Sequence, residues 1–137
     1  KLALLPQNGR CRGVVSSPEV LAQLAQEPAD VVVEVTGVPD GFASALQLLR
    51  PLGTLVLKST FAGRLRDFDV SSLVVDEITL VGSRCGPFYK ALAALESHAV
   101  DVRPLITASY SLNDGIKAFA HAGRKGVIKV LIAPNPR

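Results

Sequence analysis

Residues 30–37 read Asp-Val-Val-Val-Glu-Val-Thr-Gly, a run in which β-branched residues follow one another and a glycine closes the end. Such a run predicts a strand covered on both faces, as in a parallel sheet between helices, closing in a turn where backbone can approach a ligand. A second run, Gly-Thr-Leu-Val-Leu-Lys-Ser-Thr, occupies 53–60. Between them Phe42, Ala45, Leu46 and Leu49 recur at helical spacing, so a helix is predicted within 40–52. Strand, helix and strand in that order form a βαβ unit. Open sheets of this kind bind ligands beyond the carboxyl ends of their strands, here Val35-Thr36-Gly37 and Lys58-Ser59-Thr60.

The same patterning extends along the chain. Lys1 to Leu5 reads as the end of a helix stopped by Pro6, with Asn8-Gly9 as a turn. Gly13, Val14 and Val15 are a short strand candidate. Ser17-Pro18-Glu19 has the order of N-cap, first-position proline and first-turn acid, with Val20, Leu21, Leu24 and Ala25 as the apolar stripe and Pro28 as the stop. Residues 62–70 read as a charged surface loop. A third strand is predicted at 76–84, with Ile78, Leu80 and Gly82 on one face, broken by Cys85-Gly86-Pro87. Phe88, Ala91, Leu92 and Leu95 mark another helix. A connector follows at 101–104, then a strand at 105–110. Ser111 and Asp114 have capping-box spacing before a helix carrying Ile116, Phe119 and Ala120, which Gly123 and Gly126 end. A last strand is predicted at 127–132.

Length and composition narrow the class. One domain with a useful core is the default for 137 residues, and 48% hydrophobic with 20% charged residues describes a folded chain rather than a disordered one. No apolar run approaches the roughly 18 residues a spanning helix needs, and no signal peptide opens the sequence, so a soluble, cytoplasmic protein is expected. The net charge of +3 is dispersed, Arg64 and Arg66 being followed by Asp67 and Asp69, and aromatic residues are only 5%. Nucleic-acid binding would want basic clustering with stacking aromatics, so none is expected. Cys11 and Cys85 belong to no CxxC motif and neither His98 nor His121 lies near them in sequence, so no metal-site spacing exists and buried structural thiols are expected. The chain holds no methionine and opens within an apparent helix, which suggests a piece of a longer protein.

Most catalytic templates are absent: there is no P-loop, no GxGxxG and no HExxH. Gly82 and Gly86 stand where a nucleophile elbow has its outer glycines, but the central residue is Arg84, which cannot attack a carbonyl. Three strand ends remain, at Val35 to Gly37, Lys58 to Thr60 and Ser83 to Cys85. Singly, Thr36, Ser59 and Ser83 suit ordinary strand-end or helix-start caps. On consecutive parallel strands they point instead to a common rim for a flat ligand held by backbone groups.

The ordered set of segments resembles the C-terminal half of the zinc-type medium-chain alcohol dehydrogenases and reductases. Residues 30–37 look like that family's fourth nucleotide-domain strand, 53–60 like its fifth and Glu-Ile-Thr-Leu-Val-Gly-Ser-Arg at 77–84 like its sixth. Asp-Val-Arg-Pro-Leu-Ile-Thr at 101–107 resembles the return into the catalytic domain, and Ala118-Phe119 with 126–131 resemble the final helix and strand. The similarity covers nearly the whole chain. It implies an α/β fold: a partial Rossmann-like parallel sheet with flanking helices, plus a short C-terminal strand-helix-strand segment. Residues 1–103 would form the second half of a dinucleotide-binding domain and 104–137 the return to the catalytic domain.

The resemblance also implies roles. Val35, Thr36 and Gly37 match the turn along the nicotinamide ribose, and Ser59 and Thr60 the turn beside that ribose and ring. Ser83 and Cys85 match positions whose backbone holds the nicotinamide carboxamide. Lys129 matches a basic position near the cofactor pyrophosphate, and it reads equally well as an exposed strand-end lysine. The family's GxGxxG, its NAD-versus-NADP residue and its zinc ligands would all precede Lys1, so zinc would enter only through an upstream part. The implied function is an NAD- or NADP-dependent oxidoreductase acting on an alcohol, polyol or aldehyde, this chain supplying the nicotinamide side and being inactive alone. Strand 77–84 would be an open edge that pairs with a second copy in a homodimer. Two other readings stand beside it: a non-catalytic dimerising module, and a methyltransferase-like fold that the tail after Pro104 fits poorly.

Overall fold

The computed structural model describes residue 5, residues 10–60 and residues 70–134. The helix end and turn expected before residue 10, and nearly all of the loop expected at 62–70, lie outside the described residues. The fold is α/β, with every strand pairing parallel. The chain divides into two compact units, Val15–Gly86 and a second made of Lys1–Val14 with Pro87–Arg137.

In the first unit the order is α1 (Pro18–Leu24), β1 (Ala29–Glu34), α2 (Pro39–Gln47), β2 (Leu49–Leu57), α3 (Ser71–Val75) and β3 (Thr79–Gly82). The strands lie side by side as β1-β2-β3. Their register aligns Val32, Leu55 and Leu80 on one row and Glu34, Leu57 and Gly82 on the next. Strand side chains alternate, so these rows share one face while Val31, Val33, Val56 and Val81 point to the other. The first face holds the core: Phe42 and Ala45 of α2 pack with Leu49 and Leu55, flanked by Val32, Leu46, Leu57 and Ile78.

The sequence expectations hold for the order of elements and fail in particulars. The 30–37 strand is covered on one face only. Val31 and Val33 are more than half exposed, because among the described residues α2 packs against the Val32–Glu34 face alone. The helix within 40–52 stops at Gln47, and Leu49 already belongs to β2. Apolar spacing at Leu46 and Leu49 suits either state. What decides is a register irregularity in β2, where Pro51 is followed by Leu52 at φ 62° and the Leu52 amide bonds Asp76 O at 2.8 Å. Ser17 caps α1 as expected, accepting from the Val20 amide, but the helix tightens after Leu24, with Gln26 and Glu27 bonding three residues back, before Pro28 is reached. Gly13 to Val15 form no strand, having no partner strand among the described residues. Strand 76–84 shortens to Thr79–Gly82, since Glu77 adopts φ 50°, outside any extended conformation. Helix α3 carried no periodic signal, being too short to show one.

The second unit contains α4 (Phe88–Glu96), a 3-10 turn (Arg103–Leu105), β4 (Ile106–Ser111), a 3-10 turn (Leu112–Asp114), α5 (Gly115–Ala122) and β5 (Lys129–Ala133). β4 and β5 pair directly, and α5 packs on both, burying Ala118. The expected strand-helix-strand segment is therefore present. Its capping box is not: the Ser111 hydroxyl donates to the Asp114 carboxylate at 3.0 Å, which itself accepts from Lys117 at 2.8 Å, and a 3-10 turn intervenes before the helix. Tyr110 OH and His121 Nδ1 are 2.9 Å apart, tying β4 to α5.

Candidate functional site

The three strand tips of the first unit meet at one rim. The Lys58 amide donates to Glu34 O at 3.0 Å, joining the tips of β1 and β2, and the Ser83 amide donates to Leu57 O at 2.8 Å, joining β2 and β3. Gly37 adopts φ +73°, a conformation glycine reaches without penalty. A Cβ built there would lie 3.7 Å from Thr60 O, so the turn after β1 sits against the end of the β2 extension. Val35, Thr36, Gly37, Ser59, Thr60 and Ser83 are thus brought together. Cys85 follows Ser83 past the tip of β3, whereas Lys129 opens β5 in the other unit and its other sheet.

The organising residue is one the sequence patterning passed over. Glu34, the last residue of β1, is 5% exposed, and its carboxylate collects three donors. The Thr36 amide reaches Oε1 at 2.6 Å, the Thr36 hydroxyl reaches the same oxygen at 2.5 Å, and the Ser59 hydroxyl reaches Oε2 at 2.7 Å. Ser59 Oγ in turn accepts from the Gly37 amide at 3.0 Å, and Thr36 Oγ1 accepts from the Val38 amide at 3.3 Å. Hydrogen bonds from Ser59 first, then Thr36, hold this carboxyl below the ordinary glutamate range. The available signal was the single charge inside a valine run, since a carboxylate pointing at the covered face of a sheet needs partners.

The clasp is packed closely. A Cβ at Gly41 would collide with Thr36 Oγ1 and lie 2.9 Å from Glu34 Oε1. Beside it a cavity of about 370 Å³ opens between α1, β1 and α2, lined by Leu21, Val32, Glu34, Thr36, Asp40 and Ala45 among others. Apolar carbon dominates that lining, and among the described residues Asp40 is its one further titratable group.

Two expectations about reactive groups are changed or bounded here. Cys11 and Cys85 are not buried structural thiols; both are free and exposed, Cys11 in the irregular stretch before α1 and Cys85 beyond the last paired residue of β3. Among the described residues no three of His, Cys, Asp and Glu gather as a metal ion would require. Likewise no described helix is long and apolar enough to cross a membrane.

Comparison with known proteins gives this geometry a context. A family model described as zinc-binding dehydrogenase matches residues 1–99. D-arabitol-phosphate dehydrogenase of Enterococcus avium is 29% identical over 99% of this chain and 41% of its own length. Sorbitol dehydrogenase of Halalkalibacterium halodurans is 33% identical over 77% of this chain and 32% of its own. Among solved structures, L-idonate 5-dehydrogenase from Escherichia coli superposes with a TM-score of 0.73 at 28% identity, over 93% of this chain and 36% of that one. The chain spans less than half the length of each of these relatives.

Proposed function

Because the chain belongs to the zinc-binding dehydrogenase family, we propose that it supplies the nicotinamide side of the cofactor site of an NAD- or NADP-dependent alcohol or polyol oxidoreductase. The observation that carries this reading is the shared rim of three parallel strand tips, with Gly37 at φ +73° lying against Thr60. A flat ring with ribose hydroxyls and a carboxamide, bearing no anionic group at this end, suits that rim. The carbonyl oxygens of Val35, Thr36 and Gly37 are the acceptors this turn would offer such a ligand. In its oxidised form a nicotinamide held there would supply an acceptor for the hydride of the substrate's carbinol carbon. The chain's part is to orient: Val35, Thr36 and Gly37 along the ribose, Ser59 and Thr60 beside ribose and ring, Ser83 and Cys85 at the carboxamide.

In the same reading, residues 1–103 are the second half of a dinucleotide-binding domain and 104–137 the return to a catalytic domain. The names of the relatives favour sugar alcohols as substrates. The described residues gather no set of zinc ligands. The chain by itself turns over no substrate. A second copy is proposed to pair along β3, one of the two outer strands of the described sheet, whose four residues are all exposed.

The test is a fluorescence titration of the chain with NADH, NADPH and reduced nicotinamide mononucleotide. Saturable nicotinamide fluorescence changes, with the mononucleotide responding as well as the dinucleotides, are expected. ADP-ribose should not compete. Absence of any nicotinamide response would overturn the reading in favour of a dimerising module without cofactor, the alternative that the exposed β3 edge also fits. Binding that requires the adenosine half would overturn the half-site assignment.

A further inference from the structure

Successive backbone amides in a strand-end turn form a concavity that ordinarily attracts an anion. In this chain the amides of Thr36, Gly37 and Val38 are already taken. Thr36 N–H reaches the Glu34 carboxylate directly, Gly37 N–H reaches it through Ser59 Oγ, and Val38 N–H through Thr36 Oγ1. Every relay ends on the same two oxygens, on a side chain that is 5% exposed. Glu34 therefore stands where a bound anion would stand.

We infer that Glu34 is a positioning residue that acts as an internal anion, filling the amide concavity after β1 so that the rim rejects phosphate and presents carbonyl oxygens to a non-anionic, donor-bearing ligand. This rests on the nicotinamide reading of the rim and deepens it by assigning what sets the rim's selectivity. Three features support it independently of any ligand. The carboxylate sits at the carboxyl end of a strand, on the face covered by α2, where solvation by water is largely replaced by three hydrogen bonds. The glycine at 41 leaves room for that arrangement and for nothing larger, since a Cβ would strike Thr36 Oγ1. The two side chains that relay the charge come from different strand tips, so the clasp fixes the turn after β1 relative to the end of β2. One amide directly, and two more through a single hydroxyl each, are thereby tied to this carboxylate.

The inference is tested by amide NMR on the full chain, with pH and inorganic phosphate as the only probes. In the wild type, the Thr36 and Gly37 amide resonances should titrate together with the Glu34 carboxyl, at a midpoint below the ordinary glutamate range, and phosphate at neutral pH should leave Thr36, Gly37 and Val38 unmoved. Asp40, the other titratable group on the cavity wall, is removed as a source of the transition with Asp40→Asn. Glu34→Ala should open the concavity, so that phosphate shifts the three amides saturably. Glu34→Gln, which keeps the shape and one acceptor oxygen, should lose the pH transition and stay silent to phosphate. Wild-type amides that respond to phosphate, or that fail to follow the Glu34 titration, would overturn the inference, and neither outcome depends on Glu34→Ala folding. Because no nicotinamide compound enters the experiment, its failure is separate from failure of the cofactor reading, which the NADH titration decides.

Discussion

Gly37 and Ser59 are joined across two strand tips: the Gly37 amide donates to Ser59 Oγ at 3.0 Å, and the same hydroxyl donates to Glu34 at 2.7 Å. One serine side chain thus serves as acceptor for the turn after β1 and donor to its last residue. The conformation of that turn is fixed from β2, which is why the two tips act as a single rim.

At Gly37 the cost of a side chain is conformational. A Cβ would meet Thr60 O at 3.7 Å, an ordinary contact, but φ +73° places any other residue in the left-handed region. Gly37→Ala should therefore destabilise by about 1–2 kcal/mol. Urea unfolding would read this as a lower midpoint at unchanged slope. Gly37→Asn should cost less, because asparagine tolerates that region better.

Gly41 fails for the opposite reason, namely space. Gly41→Ala drives a methyl into Thr36 Oγ1 and toward Glu34 Oε1, and should cost about 1–3 kcal/mol as overpacking does. The penalty should shrink in a Thr36→Gly background, a coupling that a double-mutant cycle on unfolding free energies measures. Gly82 and Gly86 have nothing within 4 Å of a built Cβ, so alanine there should pass unnoticed.

These glycines show what could be read from the sequence. Binary patterning found β1, α2, β2 and β3 in order, and placed Leu80 and Gly82 on a common face, because strand parity and helix period are properties of the chain itself. It also placed Gly37 in the turn that closes β1, from the glycine that ends the run, and there Gly37 adopts φ +73°. Patterning counted Glu34 as one more strand position, since its role depends on Ser59, twenty-five residues on, and on the space at Gly41. It carried Leu49 into the helix because an apolar stripe continues through it. Pro51 and the left-handed Leu52 that assign it to β2 are stabilised by Asp76, a partner far off in sequence. The thiols were expected inside because cysteine usually is, while both lie in segments without a covering layer.

Stability should fall in acid for reasons that can be assigned. Ser59 and Thr36 hydrogen bonds lower the Glu34 carboxyl, and the Arg103 hydrogen bond lowers Asp101 to about 2. Both groups have folded values below their unfolded ones. Their stabilisation is thus complete above the ordinary carboxylate range and is lost as pH falls through the depressed folded values. Thermal unfolding followed from pH 7 down to about pH 2 should show the loss; Glu34→Gln should flatten that slope. Asp101→Asn should flatten it less and in a salt-sensitive way, its ion pair with Arg103 being exposed.

The second unit has its own tie. Tyr110 OH meets His121 Nδ1 at 2.9 Å, and the two rings are edge to face with centroids 5.9 Å apart. Tyr110→Phe keeps the ring contact and deletes the hydrogen bond, so a loss of about 1 kcal/mol is expected. Tyr110→Ala should cost considerably more, and hydrogen exchange of the β4 and β5 amides would locate the loss in that sheet rather than in β1–β3.

The proposed dimer turns on β3. An outer strand presents unpaired backbone groups, and natural edges are usually blocked by proline, lysine or an inward charge. Thr79 to Gly82 carry none of these, and Leu80 and Val81 are 45% and 40% exposed. A two-fold pairing of this edge with itself would extend the three-stranded sheet to twice its width and cover those side chains. Leu80→Pro removes a backbone donor within the strand and should yield monomers by light scattering. Because Leu80 also aligns with Leu55, that variant could weaken the sheet itself. Thr79→Lys keeps every apolar side chain and adds a charge to the edge, so it should give monomers with an unchanged unfolding midpoint at low protein concentration. A mass that stays at that of the dimer in both variants would remove β3 as the interface.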